Sequence, residues 1–408
     1  MKQTSFFKTA LTDLVEIFTE EIKHVFKDSG VVVIFFVASL LYPILYGYIY
    51  RNEVLRDIPV AVVNLSNSAL SRELVRKIDA TPDLKVAYKV RSMSEAKVLF
   101  AKNEVHGIVY IPSSFSSELS RGKQTHVFAY SNTATLLYFR GVYSAVNFVC
   151  LDMDENIQVA NLEAKGLTEH QAKATTTPIL RQGHAMYNSK SGFASFLLPG
   201  ALILMLQQTL VIGIGMLAGT AREENKFHQL IPYQRKYHGT LRIVTGKALA
   251  YFVLYLFIGI YNLVLIPYLF QLPNFFTIWT ALQFLVPFLL ATVFFGMGIS
   301  VFFWVRETSL LIYLCTSIPL LIMAGFSWPA SNVPVFWKMI SYFFPSTFGI
   351  QGFLKMNSMG ASLSQIDFEC MGLCIQAGIY FIFTCFVYRW QIKQSEKKRV
   401  KTFSTYDR

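Results

Sequence analysis

The feature that most constrains this chain is a run of 58 residues, from Ala248 to Val305, that contains no charged side chain. As a single helix the run would extend about 87 Å, at about 1.5 Å per residue, whereas the hydrocarbon core of a bilayer is about 30 Å thick. The run must therefore fold back on itself. The turn is predicted at Gln271-Leu272-Pro273-Asn274, because proline and asparagine interrupt helices.

Four further charge-free stretches are long enough to cross a bilayer, which takes about 20 apolar residues. They are 29–50, 191–221, 308–337, whose span is expected to end near Gly325 or Trp328, and 370–388. Only 15% of the residues are charged, against about 25% in soluble domains. The predicted fold class is a polytopic α-helical membrane protein with six transmembrane helices, the first at 29–50 and the others within 191–388.

The distribution of lysine and arginine predicts the orientation of the six helices, because short cytoplasmic loops carry an excess of these residues. Eighteen lie in the N-terminal segment, the loop 222–247, the turn at Arg306 and the basic tail 389–408. The opposite short loops carry two, Lys338 and Lys355. Both termini are therefore predicted in the cytoplasm. The net charge of +12 comes from dispersed residues, which argues against a nucleic-acid partner.

The segment 51–190 is predicted to be a mixed α/β extracytoplasmic domain. β-Branched or alternating runs predict strands, and helical spacing and a capping box at Thr168 and Gln171 predict helices. The predicted strands are 58–64, 84–90, 107–111 and 125–130, and the predicted helices are 68–78, 94–102 and 136–164. Asp152, Asp154 and Glu155 are interpreted as a solvated helix face rather than a cation site. A packed domain without chemistry is the favoured interpretation.

Residues 1–28 have the pattern of an amphipathic helix. Apolar residues recur at helical spacing, and charged residues fall on the other side. The apolar set is Phe7, Leu11, Leu14, Val15, Phe18, Ile22, Val25 and Phe26, and the charged set is Asp13, Glu16, Glu20, Lys23 and Lys27. Such a helix lies in the membrane interface, or packs against the cytoplasmic ends of the spans; the two positions are compatible.

The loop 222–247 mixes charges with apolar residues that the sequence predicts to be exposed, namely Phe227, Leu230, Ile231 and Tyr233. Aromatic anchors with a polar rim are typical of a docking surface for another protein, which is favoured over a plain solvated loop. Gly239 to Lys247 superficially resembles a phosphate-binding loop. Its glycine spacing is wrong and Ala248 replaces the required Ser or Thr, so no nucleotide site is predicted in this chain.

Polar residues inside the spans are few: Gln207, Gln208, Asn262 and Gln283. Neutral polar residues in membranes most often form hydrogen bonds between helices, and contact with a transported substrate is the alternative. The spans contain no Asp, Glu or His at positions that would suit proton coupling. This pattern argues against a proton-coupled carrier and favours a neutral or amphipathic cargo.

Taken together, the segments resemble the permease subunit of type-2 ABC transporters, in the exporter branch with a large outer domain after the first span. The chain departs from that family at Asn225-Lys226, where Gly-Thr is common, and at Arg242, close to a position where an acid is common. The matching segments, in order, are the amphipathic N-terminal helix, AVVNLSNSALSRELV (61–75), GIVYIPSSF (107–115), Leu119, Gly122, Asn132, Gly166-Leu167-Thr168, Arg222-Glu223-Glu224, Gly246-Lys247 and the segment 325–353.

The resemblance implies a bacterial inner-membrane exporter that needs a separate soluble ATPase, which would hold ATP and magnesium. It also implies a second permease in a dimer, a re-entrant region at 326–353, and possible binding of a membrane-fusion adaptor. The implied ATPase contacts are the N-terminal helix and Arg222, Glu223, Glu224, Lys226, Phe227, Leu230, Ile231 and Pro232. A substrate pathway along Gln207, Gln208, Asn262, Pro329, Pro334 and Pro345 is also expected, because irregular backbone at membrane depth is tolerated where it lines a cavity.

Two other functions are weighed against transport. A membrane-anchored enzyme would need a nucleophile with a base or a metal cluster in the outer domain, and His106, His126, His170 and His184 are scattered along the sequence. A sensor or scaffold that binds a ligand or an adaptor through the outer domain is compatible with the sequence. No catalytic residue, metal site or cofactor is predicted in this chain itself.

Overall fold

The computed structural model describes residues 2–180, 183–184, 186–188, 191–224, 226–230 and 239–406. The side chains of residues 2–9, 228 and 398–406, among them that of Phe7, are outside this description. The chain divides into two compact units: a helical unit of Met1–Glu53 and Ala185–Arg408, and a sheet unit of Val54–His184.

The helical unit contains six helices that are long and apolar enough to cross a membrane, which confirms the predicted number. They are named spans one to six: Ser29–Ile49, Phe193–Glu223, Gly239–Leu269, Ile278–Phe302, Arg306–Met323 and Asp367–Lys397. Helix α1 (Lys2–Lys27) precedes span one. Single π-helical segments interrupt spans one and three, at Val33–Ala38 and Tyr261–Leu265.

Two boundaries differ most from those predicted by the absence of charge. Span three begins at Gly239 rather than Ala248, because Arg242 and Lys247 are paired with carboxylates and remain inside the helix. The helix that contains span six continues to Tyr406, through most of the predicted basic tail. Its extension packs inward at Ile392, which is fully buried.

Spans two and four form the centre of the helical unit, and spans one, five and six present most of their surface outward. Span two packs closely against its neighbours at glycines, because two helices can approach more closely where a residue has no Cβ atom. A Cβ at Gly213 of span two would lie 1.9 Å from the ring of Phe35 in span one. A Cβ at Gly219 would lie 2.8 Å from the backbone of Arg306 in span five.

Two short helices lie between spans five and six, in the region predicted to be re-entrant. Numbered after α1 and spans one to five of the helical unit, they are helix α7 (Val335–Ser341) and helix α8 (Pro345–Met359). A 3₁₀ turn at Ala330–Asn332 precedes α7. Proline suits the first turn of α8, where its missing N–H costs no hydrogen bond. Helix α8 packs against spans two, four and six, so the connection is part of the core.

The sheet unit has four strands, β1 (Ile58–Asn64), β2 (Leu84–Val90), β3 (Gly107–Ile111) and β4 (Phe128–Ser131), in the order β2-β1-β3-β4. Strand β1 is parallel to β2 and β3, and β4 is antiparallel to β3. The first three strands confirm the predicted bounds. Strand β4 starts at Phe128 instead of 125 because its partner β3 ends at Ile111, followed by proline.

Helices cover both faces of this sheet. Two apolar clusters lie on either side of it, one centred on Val62 and Val109 and the other on Val63 and Ile108. The helices are Ala69–Asp79, Met93–Ala101, Phe115–Ser120, Leu136–Glu163 and Glu169–Thr176. The capping box at Thr168 and Gln171 is confirmed, and it begins the last of these helices.

Candidate coupling site

Helix α1 has three faces, where the sequence predicts two. The buried face repeats every four residues at Asp13, Ile17, Glu21 and Val25. A second face exposes apolar side chains, with Leu11 at 65% and Phe26 at 55%. The third face exposes charged side chains at Glu16, Glu20, Lys23 and Lys27.

The buried face of α1 packs against span three through two ion pairs. Arg242 Nη1 lies 2.7 Å from Asp13 Oδ2, and Lys247 Nζ lies 2.5 Å from Glu21 Oε2. Tyr251 Oη also donates a hydrogen bond to Glu21. The prediction that Asp13 lies on the solvated side is therefore wrong, because its basic partner is contributed by a distant helix.

The surroundings of Glu21 lower the pKa of its carboxyl group. Burial by itself raises the pKa of this carboxyl, but the charge of Lys247 and hydrogen bonds from His24, Lys247 and Tyr251 lower its pKa to about 2. Glu21 is therefore ionised at neutral pH. Its negative charge balances Lys247 at a position where water reaches only 4% of the carboxylate side chain.

Gly246 brings the two helices close enough for these pairs to form. A Cβ on Gly246 would lie 2.9 Å from Ile17 Cγ2 and 3.3 Å from the backbone oxygen of Leu14. Both distances are shorter than ordinary contacts, so a side chain at this position would push α1 away from span three. The Gly246-Lys247 sequence thus supplies both the close approach and the charge.

The last residues of span two connect it to other helices at the same end of the unit, here called the basic end. Arg222 donates a hydrogen bond to the carbonyl of Phe303, and the Arg306 amide donates to Glu223 Oε1 at 3.4 Å. Arg306 Nη2 in turn lies 2.6 Å from Asp28 Oδ1, at the start of span one. These contacts tie spans one, two, four and five together.

The short 3₁₀ helix Lys226–Leu230 follows span two. Phe227 and Leu230 are half-buried against the helical core, and the ring of Phe227 lies edge-on to Tyr388 at 6.3 Å. The exposure predicted for these two residues is therefore not found. Glu223 and Glu224 are exposed, and Glu224 pairs with Lys226. Ile231 and Pro232, with Tyr233, lie outside the described residues.

Gln207 binds the start of helix α8. Its Nε2 donates to Ser346 Oγ at 3.1 Å, and its Oε1 accepts the Ser346 amide at 2.5 Å. That amide belongs to the first turn of α8, where backbone N–H groups have no partner within the helix. Gln207 therefore links span two to α8 beside the buried Pro345.

The other predicted pathway residues are not gathered at this point. Gln208 and Asn262 are buried, and neither amide has a hydrogen-bond partner among the described residues. Pro329 and Pro334 are exposed at the starts of the 3₁₀ turn and of α7. The structure thus brings together only Gln207 and Pro345 of the six predicted residues.

An ion pair between a buried carboxylate of span six and a partly exposed lysine of α8 was missed by the sequence analysis. Glu369, in the first turn of span six, is 2% exposed, and its Oε1 lies 2.6 Å from Lys355 Nζ in α8. A carboxylate in the first turn of a helix is favoured by the helix dipole. That position was the only signal in the sequence, because no local pattern pairs residues on separate helices.

The described residues of the sheet unit show no convergence of reactive side chains. His106 stacks on Tyr138 with ring centroids 3.9 Å apart, Asp152 pairs with Lys77, and Asp154 accepts from Gln158. Within the described part of the chain, no group of three or more His, Cys, Asp or Glu could hold a metal ion.

Comparison with known proteins decides the family. The sequence profile described as ABC-2 family transporter protein matches residues 30–386. The chain belongs to this family. It is a non-catalytic, multi-pass permease, and ABC-2 permeases work with ATPase subunits. No curated protein matches the chain significantly.

The matched region of this ABC-2 permease covers most of the basic end and leaves out helix α1, Asp28 and Tyr388. It includes Arg242, Gly246 and Lys247, and it starts after Asp13 and Glu21. The permease domain therefore carries the basic halves of both ion pairs, and the helix that precedes the matched region carries the acidic halves. Helix α1 is built into the permease by charge and by close packing.

Proposed function

We propose that this ABC-2 permease exports a neutral or amphipathic molecule, driven by a separate soluble subunit that binds and hydrolyses ATP with magnesium. The orientation in the membrane rests on the charge distribution, because the lysines and arginines at the basic end favour a cytoplasmic location. The outward direction of transport rests on the resemblance to the exporter branch of the family. A cytoplasmic basic end faces a soluble ATPase. The sheet unit is then outside, where exported cargo leaves.

The observation that carries the proposal is the layered arrangement of charge at the basic end. Glu223 and Glu224 and the charged face of α1 are exposed, and suit contact with a partner. Beneath them, the pairs of Glu21 with Lys247 and of Asp28 with Arg306 connect α1 to span three and span one to span five. Force applied by a closing ATPase would therefore pass directly into the spans.

The test is whether ATP hydrolysis co-purifies with affinity-tagged permease from native membranes. We expect Glu223→Ala/Glu224→Ala to lose most of that activity while the permease keeps its thermal stability. The matched control is Glu163→Ala/Glu169→Ala, which removes two exposed carboxylates from the sheet unit. Activity retained in the first variant, or lost equally in both, would contradict the docking site.

We further propose that two permeases form a dimer with the cargo pathway between them. Spans one, five and six present broad apolar surfaces in the single chain, which suits contact with lipid and with a second permease. The contact of Gln207 with Ser346 beside Pro345 lies where α8 meets span two. Chemical cross-linking in native membranes, followed by mass measurement, tests for the dimer; a monomer only would refute it.

The sheet unit is proposed as the surface for a membrane-fusion adaptor. Helix Leu136–Glu163 buries one side against the sheet and exposes apolar residues on the other, including Leu136 at 75% and Phe148 at 70%. Exposed aromatic side chains are typical of protein interfaces. Photo-cross-linking from position 148 in native membranes would identify a partner, with exposed position 97 as the control.

A further inference from the structure

A cavity of about 350 Å³ lies at the basic end, lined by residues of α1, of spans one, two, three, five and six, and of the 3₁₀ helix Lys226–Leu230. This volume is at the lower end of the range of small-molecule sites, about 300 to 1,000 Å³. One part of the wall is apolar, formed by Ile214, Leu217 and Ala218 of span two with Leu230. The remaining wall combines charged side chains with neutral polar and aromatic ones, among them Thr220, Gln229 and Tyr251.

The charges around the cavity are balanced. Among the described residues, the wall contains four Lys or Arg side chains and four carboxylates, and three pairs are closed within the protein. The closed pairs are Glu21 with Lys247, Asp28 with Arg306, and Glu224 with Lys226. The fourth acid and base are Glu20 and Lys27, both on the exposed charged face of α1.

The pairs differ in how readily a ligand could enter them. Glu21 and Lys247 are 4% and 17% exposed, so separating them would leave buried charges unpaired. Glu224 and Lys226 are 47% and 43% exposed, and an exposed pair costs little to open. The pair of Glu21 with Lys247 is therefore expected to stay closed when a ligand binds, whereas the pair of Glu224 with Lys226 can open and bind the ligand instead.

A balanced wall selects against a simple anion, which would need surplus positive charge. A ligand that carries both a phosphate and an ammonium group satisfies both signs, since lysine donates to the phosphate and carboxylates accept from the ammonium. The apolar wall of span two then accommodates the hydrocarbon part of the same molecule. A cavity with both charged and apolar walls therefore suits an amphiphilic ligand, whose head group contacts the charged side chains and whose hydrocarbon contacts the apolar ones.

We propose that this cavity binds a phosphate–ammonium zwitterion, with Lys27 and Lys226 on its phosphate and Glu20 and Glu224 on its ammonium. Its position supports a bilayer source: the spans end here, and the exposed apolar face of α1 is typical of helices in the membrane interface. The site shares Glu224 and the charged face of α1 with the proposed docking surface, so lipid binding is tested on the isolated permease, without an ATPase and without transported cargo.

The test is native mass spectrometry of the full-length permease in mild detergent, titrated separately with dioleoyl-phosphatidylethanolamine and dioleoyl-phosphatidylglycerol. We expect the zwitterionic lipid to bind more tightly. Glu20→Gln/Lys27→Ala should weaken its binding about tenfold or more, because two charge-assisted hydrogen bonds are lost. The matched control is Glu16→Gln/Lys23→Ala, on the same exposed face of α1 but outside the cavity.

A second variant tests the apolar wall. Leu217→Trp should reduce binding by occupying the cavity, with folding checked by gel filtration and thermal unfolding. Displacement of the lipid by free glycerophosphoethanolamine at equal concentration would support the zwitterion site and assign it a soluble ligand, and no displacement would support the lipid. Equal binding of both lipids, or equal loss in the Glu16→Gln/Lys23→Ala control, would overturn the proposal.

Discussion

Replacing Glu21 by alanine is the sharpest test of how helix α1 is held. Glu21 is buried, it pairs with Lys247 at 2.5 Å, and Tyr251 donates to it. Removing the carboxylate leaves a lysine 17% exposed without its countercharge. Breaking a buried pair in this way costs about 3 to 5 kcal/mol.

The pKa of Glu21 gives an independent magnitude. Its pKa is lowered from 4.5 to about 2, and at about 1.4 kcal/mol for each tenfold change the ionised carboxylate is favoured by about 3 kcal/mol in the folded protein. The two figures agree. This stabilisation is complete above pH 4.5 and is lost as the pH falls from 4.5 towards 2, because the unfolded carboxyl binds its proton first.

The assay is hydrogen exchange of the α1 backbone in permease reconstituted in lipid nanodiscs. At neutral pH, Glu21→Ala should accelerate exchange in α1 more than about 100-fold, since the opening of this helix becomes about 3 kcal/mol easier. Hydrogen exchange in the sheet unit should be unchanged. Glu16→Ala, on the exposed face of the same helix, is the matched control and should have little effect.

A double-mutant cycle separates the pair from general damage. If Glu21 and Lys247 act on each other, Glu21→Ala/Lys247→Ala should be far less destabilised than the sum of the two single variants. Additive effects, or α1 exchange in Glu21→Ala that matches the Glu16→Ala control, would refute the reasoning.

Two further predictions concern close packing and a buried amide. Gly246→Ala should lower the thermal unfolding temperature, because its Cβ meets α1 at 2.9 Å, whereas Gly378→Ala, with open space around it, should be neutral or stabilising. Gln207→Leu should cost about 1 to 3 kcal/mol in denaturant unfolding by leaving the Ser346 amide unsatisfied. Gln283→Leu, at an exposed position, should cost nothing, and an equal loss would count against the proposed role of Gln207.

Much of the fold was predictable because it depends on local properties of the chain. A span requires only that about 20 consecutive residues tolerate hydrocarbon, so charge-free runs located all six. Strands β1 and β3 are short β-branched runs ended by turn residues, and their bounds were correct. The capping box at Thr168 and Gln171 was also predictable, because it involves only four consecutive residues.

The candidate site was predictable only in part, because its key contacts join residues far apart in sequence. The exposed position of Glu223 and Glu224 agrees with the expected docking surface, and contact with an ATPase stays a prediction. The inward orientation of Phe227 depends on the position of Tyr388. The buried Glu369 depends on Lys355 in another helix.

The sequence by itself determined that the chain has six apolar spans and a separate mixed sheet unit, since hydrophobicity and strand pattern are read residue by residue. Only the tertiary structure decided which charges are buried. The sequence places Arg242 and Lys247 in the predicted docking loop 222–247, but they are inside span three because Asp13 and Glu21 of α1 neutralise them. Burial of a charge depends on its partner, and the partner is chosen by the packing of helices.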